Sequence, residues 1–295
     1  MVTAVDKIRL AKAAANSLAQ SNTLVKNQVL RNIATLLPAR AEQIIAANAI
    51  DLANGVASGL STGLQDRLKL DEKRIQALAD AVSLVIELPD PVGDVVRGRT
   101  LPNGLQINQV RVPFGVIGAI YEARPNVTID IAALAIKSGN ATVLRGGTAA
   151  ENTNAVLVTL LQDALEQAGV DRDAVQTVDE FGRQGANDMM QAVGLIDVLV
   201  PRGGAGLIKS VVNESKVPVI QTGDGVVHIF IDESARVDWA VEIVLNSKTQ
   251  RPSVCNALET LLVHQNAVDT VLPAVVEALK AKNVVLHGDQ TMVNQ

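Results

Sequence analysis

Between residues 115 and 231, short aliphatic and β-branched runs alternate with stretches of helical periodicity, and this alternation restricts the fold more than any other feature. The runs are Gly115–Ile120, Ala141–Leu144, Ala174–Val178, Asp197–Val200, Val217–Ile220 and His228–Ile231. Helical stretches near 128–138, 151–168, 186–193 and 206–212 separate the first five. Strands joined through helices form right-handed βαβ crossovers, which predicts an α/β fold with a Rossmann-type parallel sheet covered on both faces.

The flanking segments have other periods. Residues 3–53 read as helices, with Ile8, Ala11, Ala15, Leu18 and then Val29, Leu30, Ile33, Leu36 and Leu37 at three-to-four spacing. Another helix covers 71–88 and stops at Pro89-Asp90-Pro91. Extended runs over 95–100 and 105–110 flank Pro102-Asn103-Gly104, which predicts a projecting β-hairpin over about 95–112. After residue 246, the runs 261–263 and 284–286 read as strands around a helix over 268–281. The expected organisation is a first domain over 1–245 and an incomplete second α/β domain over 246–295. About fifty residues are few for an independent core, so the chain reads as a C-terminally shortened form of something longer.

Composition narrows the function. An apolar content of 48% supports a sizeable core, and a net charge of -5 with dispersed basic residues argues against nucleic acid as partner. No run approaches membrane-spanning length, and the opening lacks a secretory core. The chain holds one cysteine, Cys255, which can form neither an internal disulfide nor a multi-cysteine metal site and fits a reducing cytoplasm. A small-molecule ligand, without metal, nucleic acid or membrane, is the expectation.

Three segments carry chemistry. Cys255 follows the polar stretch Asn246–Ser253 and is either a small buried hydrophobe or a nucleophile, with Arg251 as a nearby cation or phosphate anchor. Two βα turns, Arg145-Gly146-Gly147-Thr148 and Arg202-Gly203-Gly204, offer glycine backbone and a helix N-terminus to an anion, although Gly-Gly can equally make a tight turn. Neither matches Gly-x-Gly-x-x-Gly. The segment Tyr121–Asn126 follows a strand end, where open α/β sheets bind ligands; there Asn126 is a neutral N–H donor and Arg124 a partner for carboxylate or phosphate. His228, His264 and His287 sit in or beside strands and read as ordinary sheet residues rather than bases.

Together, Pro113–Gly118, Tyr121–Asn126, Lys137–Asn140, Leu144–Gly147, Val200–Gly204 and Lys248–Asn256 resemble the aldehyde dehydrogenase superfamily, and within it the branch that reduces an acyl phosphate. The resemblance implies that Cys255 attacks L-glutamyl 5-phosphate to form a thioester, that NADPH reduces it to glutamate 5-semialdehyde for proline biosynthesis, and that Asn126 helps hold the oxyanion. It implies substrate-binding roles for Arg124, Arg251 and Asn256. Cofactor-binding roles fall to Arg145, Gly146, Gly147, Thr148, Arg202, Gly203 and Gly204, with Thr148 beside Arg145 favouring NADP, and homo-oligomers form through the hairpin. Hydrolytic members carry a glutamate where this chain reads Gln221-Thr-Gly-Asp-Gly225, so a hydrolytic aldehyde dehydrogenase is disfavoured. A catalytically inactive dinucleotide-binding fragment is the other alternative.

Overall fold

The computed structural model describes residues 2–221, 223, 225–252 and 254–289. The chain divides into two compact units, Met1–Thr222 and Gly223–Gln295.

In the first unit, helices α1 (Ala4–Ala19), α2 (Thr23–Ala39), α3 (Ala41–Ala57), α4 (Thr62–Leu68) and α5 (Glu72–Glu87) precede any strand. Their starts are chemically marked: Thr3, Asn22, Ser61 and Asp71 each accept a backbone N–H from the first turn. Apolar residues at helical spacing, Ile8, Leu18, Leu30, Ile33 and Leu37 among them, are buried. Strands β1 (Val95–Thr100) and β2 (Gln106–Val110) then form the expected antiparallel hairpin, with Gly104 at φ 83° in its turn.

Strands β3 (Val116–Tyr121), β4 (Ala141–Arg145), β5 (Val175–Thr177) and β6 (Val198–Arg202) follow, joined by α6 (Pro125–Lys137), α7 (Glu151–Gln167) and α8 (Gly182–Gln191). They build a parallel sheet of order β5-β4-β3-β6. The chain moves outward from β3 to β5 and then returns to the far side of β3. Right-handed crossovers therefore put α6 and α7 on one face and α8 on the other, and open a crevice at the carboxyl ends of β3 and β6. Helix α1 packs on β3, β4, β5 and α8, while α2, α3 and α5 stack outside α6 and α7. After β6 comes α9 (Ala205–Glu214). The expected strand at 217–220 is reduced to a single bridge between Leu199 and Val219.

A buried acid locks two of these layers together. Asp51 in α3 accepts the Asn152 N–H at 3.2 Å and Nδ2–H at 2.8 Å on one oxygen, and the Thr153 N–H at 2.8 Å and Oγ1–H at 2.5 Å on the other. It thereby satisfies the first turn of α7 from a neighbouring helix.

The second unit contains β7 (His228–Ile231), α10 (Val237–Thr249), β8 (Thr260–Val263) and α11 (Leu272–Ala281). The two strands are parallel, and Ile231, Val244, Leu258, Val271, Val275 and Leu279 form the core. The division between units falls earlier than residue 245, because β7 pairs with β8 and α10 packs on α11. The expected strand at 284–286 does not form. Asn283, at φ 58°, ends α11, and the Val284 N–H turns back to the Leu279 carbonyl at 3.1 Å instead of entering a ladder.

Replacing Asp51 with alanine leaves four donors of α7 without their acceptor. Urea unfolding should show a loss of about 2–4 kcal/mol; an unchanged midpoint would contradict this account of the α3–α7 contact.

Candidate active site

The candidate residues of the first unit gather at the carboxyl edge of its sheet. Ile120 is in register with Arg145 and Tyr121 with Arg202, so the segment after β3 lies between the two diglycine turns. Its backbone bends sharply. Ala123 sits at φ 36°, a left-handed conformation that costs a non-glycine residue roughly 1 kcal/mol and marks constrained ligand-facing turns. Pro125 opens α6 with Arg124 as its N-cap, so Asn126 lies within the helix's first turn, earlier than the expected start near 128. The Asn126 Nδ2–H donates to Asp130 Oδ2 at 3.0 Å.

The first diglycine turn is fixed from beneath. Tyr121 Oη and Thr128 Oγ1 are 2.6 Å apart, Thr128 donates to Asn154 Oδ1 at 2.9 Å, and Asn154 Nδ2–H donates to Asp179 Oδ2 at 3.0 Å. The other oxygen of Asp179 accepts the Gly146 N–H at 2.6 Å. A side chain at Gly146 would overlap Asn154 Nδ2 and stand 2.9 Å from Tyr121 Cε2, so glycine is required there by packing. Burial raises the Tyr121 phenol, with the Asp179 charge adding to the effect. Burial likewise pushes the Asp179 carboxyl up, against the opposing hydrogen bonds from Asn154 and Gly146 and the charge of Arg145.

The second turn is held by Glu122, whose Oε2 accepts the Gly204 N–H at 3.1 Å at the start of α9. The expectation that these glycine amides await a ligand anion is thus modified, because Gly146 and Gly204 already donate to the protein's own carboxylates. What each turn still presents is one arginine. Arg145 Nε–H donates to the Gly182 carbonyl at 3.3 Å, Arg202 is exposed at the end of β6, and Gly147, at φ 76°, leads into the exposed Thr148.

In the second unit, Cys255 is exposed, so it fills no core and the reading as a buried hydrophobe falls away. Arg251 and Asn256 are exposed on the same turn, which is tied to α10 by Leu258 N–H to Ser247 O at 3.0 Å and by Lys248 Nζ to Leu258 O at 2.9 Å. His228 Nδ1 pairs with the Val226 carbonyl and His264 Nδ1 accepts the Asn266 N–H; both serve their own turns. Thr222 and Asp224, within the stretch expected to lack a catalytic glutamate, lie outside the described residues. Among those described, no metal-binding cluster of histidine, cysteine and acidic residues occurs.

Sequence reasoning missed Asp179, Asn154, Glu122 and Asp130. Only Asp130 had a legible signal, its spacing of four from Asn126 on one helix face.

Residues 3–293 match the aldehyde dehydrogenase family. The chain belongs to that family. Within it, the chain is 60% identical over 285 residues to a gamma-glutamyl phosphate reductase of Leifsonia xyli, covering 97% of this chain and 68% of that protein. It is 58% identical to the same-named protein of Clavibacter michiganensis, over 96% of this chain and 65% of that one. The crystal structure of gamma-glutamyl phosphate reductase from Thermotoga maritima superposes with a TM-score of 0.86 at 38% identity, over 98% of this chain and 73% of that one. The chain thus spans about two thirds of the length of these two bacterial relatives. The family's fold is the one described above: a parallel α/β sheet with N-terminal helices and a hairpin.

The Asp179 network carries a pH signature. A carboxyl raised in the folded chain above its ordinary value of 3.8 contributes most favourably while protonated, and that contribution is lost as pH rises through the folded value. Asp179→Asn removes this titration. The unfolding free energy of the variant relative to the parent should therefore improve as pH rises from about 4 to 7 in urea melts; a difference independent of pH would contradict it.

Proposed function

We propose that this chain carries the active-site residues for NADPH-dependent reduction of L-glutamyl 5-phosphate to L-glutamate 5-semialdehyde and phosphate, a cytoplasmic step of proline biosynthesis. The observation that carries the reading is the exposed Cys255, on one turn with Arg251 and Asn256, in a chain so similar to gamma-glutamyl phosphate reductases. No helix among the described residues is long and apolar enough to cross a membrane.

In this mechanism the Cys255 thiolate attacks the acyl carbon, forming a C–S bond and an oxyanion. Asn126 and the backbone N–H of Cys255 donate to that oxygen. As the adduct collapses, the bond from carbon to the phosphate oxygen breaks, inorganic phosphate leaves and a thioester remains. Bound NADPH would supply the hydride that reduces this thioester. Asn126 again holds the resulting oxyanion, the C–S bond breaks, the thiolate returns and the aldehyde departs. Arg124, Arg251 and Asn256 hold the substrate's phosphate and carboxylate. Arg145, Thr148 and Arg202, with the glycines of their turns, would hold the dinucleotide. A neutral hydroxyl and a guanidinium suit the 2'-phosphate of NADP better than a carboxylate would. Dinucleotide binding belongs to the first unit and the nucleophile to the second.

The hairpin fits contact between copies of the chain, since every residue of β1 and β2 is exposed, including Val95, Val96, Ile107 and Val110. Replacing both Val95 and Ile107 with lysine should convert a sedimenting oligomer into monomer; identical sedimentation of parent and variant would contradict this.

The reaction is tested in reverse, with L-glutamate 5-semialdehyde, phosphate and NADP, by absorbance of the reduced cofactor. Phosphate-dependent reduction is expected, abolished by Cys255→Ser and slowed about a hundredfold or more in kcat by Asn126→Ala. Cofactor binding without turnover would mark a dinucleotide-binding fragment, and turnover independent of phosphate a hydrolytic enzyme.

A further inference from the structure

Asp130 stands beside Asn126, the oxyanion donor of the proposed reaction, without a part in the steps above. It stands one turn after Asn126 on α6, and its Oδ2 accepts the Asn126 Nδ2–H at 3.0 Å. That is its one side-chain hydrogen bond among the described residues, and Oδ1 has no partner there. The side chain is half-buried. Arg202 acts on it through space but forms no ion pair with it among the described residues. Burial raises the carboxyl, with the Asn126 hydrogen bond and the Arg202 charge opposing.

An acid is a poor neighbour for an oxyanion donor. A negative charge one helical turn away opposes the charge that develops on the carbonyl oxygen, so a site built only to hold Asn126 would be better served by a neutral side chain. The conflict disappears when the substrate itself brings a cation. An amino-acid acyl phosphate does so, because its α-carbon carries an ammonium group.

We propose that Asp130 receives the α-ammonium of the substrate, with Oδ1 as the acceptor, and so makes the site selective for amino-acid acyl groups over their des-amino analogues. This rests on the reaction proposed above. The charge pair is complete only in the substrate complex, where a charge-assisted hydrogen bond replaces water on both ions. Asn126 keeps its own bond to Oδ2 throughout.

The test compares L-glutamate 5-semialdehyde with 5-oxopentanoate, the same aldehyde without the amino group, in the phosphate-dependent reduction of NADP. Asp130→Asn is the variant, because its amide oxygen still accepts from Asn126 and its volume is unchanged. The parent should prefer the amino aldehyde. The variant should lose about tenfold to hundredfold in kcat/KM for that aldehyde, chiefly through KM, while on 5-oxopentanoate, where no ammonium offsets the carboxylate, it should match or exceed the parent. Equal losses on both aldehydes would assign Asp130 to positioning Asn126 and overturn the proposal, as would an unchanged preference. A parent chain that turns over neither aldehyde would overturn the proposed reaction and this role together.

Discussion

A carboxylate taken out of water must be satisfied by the atoms around it, and the carboxyl edge of this sheet is arranged about one such group. Asp179 is buried, and its two oxygens are met by the Gly146 amide and the Asn154 side chain. Through Asn154 and Thr128 the same network reaches Tyr121 at the end of β3. The first diglycine turn, α6 and α7 are therefore fixed to one another by polar bonds in addition to apolar packing. Such a network places the backbone of β3 and β4 before any ligand arrives, which is what the proposed alignment of a substrate with a dinucleotide requires.

The second diglycine turn is held less firmly. Glu122 is exposed and reaches Gly204 by one hydrogen bond, whereas Asp179 is enclosed and makes two. Both turns thus hold a carboxylate where the sequence suggested a ligand's anion. Glycine is required at Gly146 by the close approach of Asn154 and Tyr121 and at Gly147 by its positive φ, whereas at Gly203 a side chain would meet the movable ends of Glu122 and Leu207.

Much of the fold was legible because apolar periodicity reports burial directly. The helices before residue 88, the hairpin and the strands of the parallel sheet follow from it. The end of the chain was misread at Val284–Leu286, where the valines have strand propensity but the Asn283 turn directs the backbone to α11 instead of to a strand edge. The domain boundary was misplaced because a helix running into the cysteine turn looks continuous with what precedes it, while pairing of His228–Ile231 with Thr260–Val263 is invisible to local pattern. Cys255 was legible as a candidate from its polar surroundings, and its exposure excludes the reading as core filler. Asp179 and Asn154, twenty-five positions apart, gave no sequence signal for their contact.

The central claim is that Cys255 carries the acyl group, and mass spectrometry of the protein tests it most directly. The chain would be incubated with L-glutamate 5-semialdehyde and NADP in the absence of phosphate, quenched in acid and digested. The account predicts a glutamyl thioester on the peptide containing Cys255, formed with one equivalent of NADPH and discharged when phosphate is added before the quench. An unmodified Cys255 alongside NADPH formation, or acylation at another residue, would contradict it.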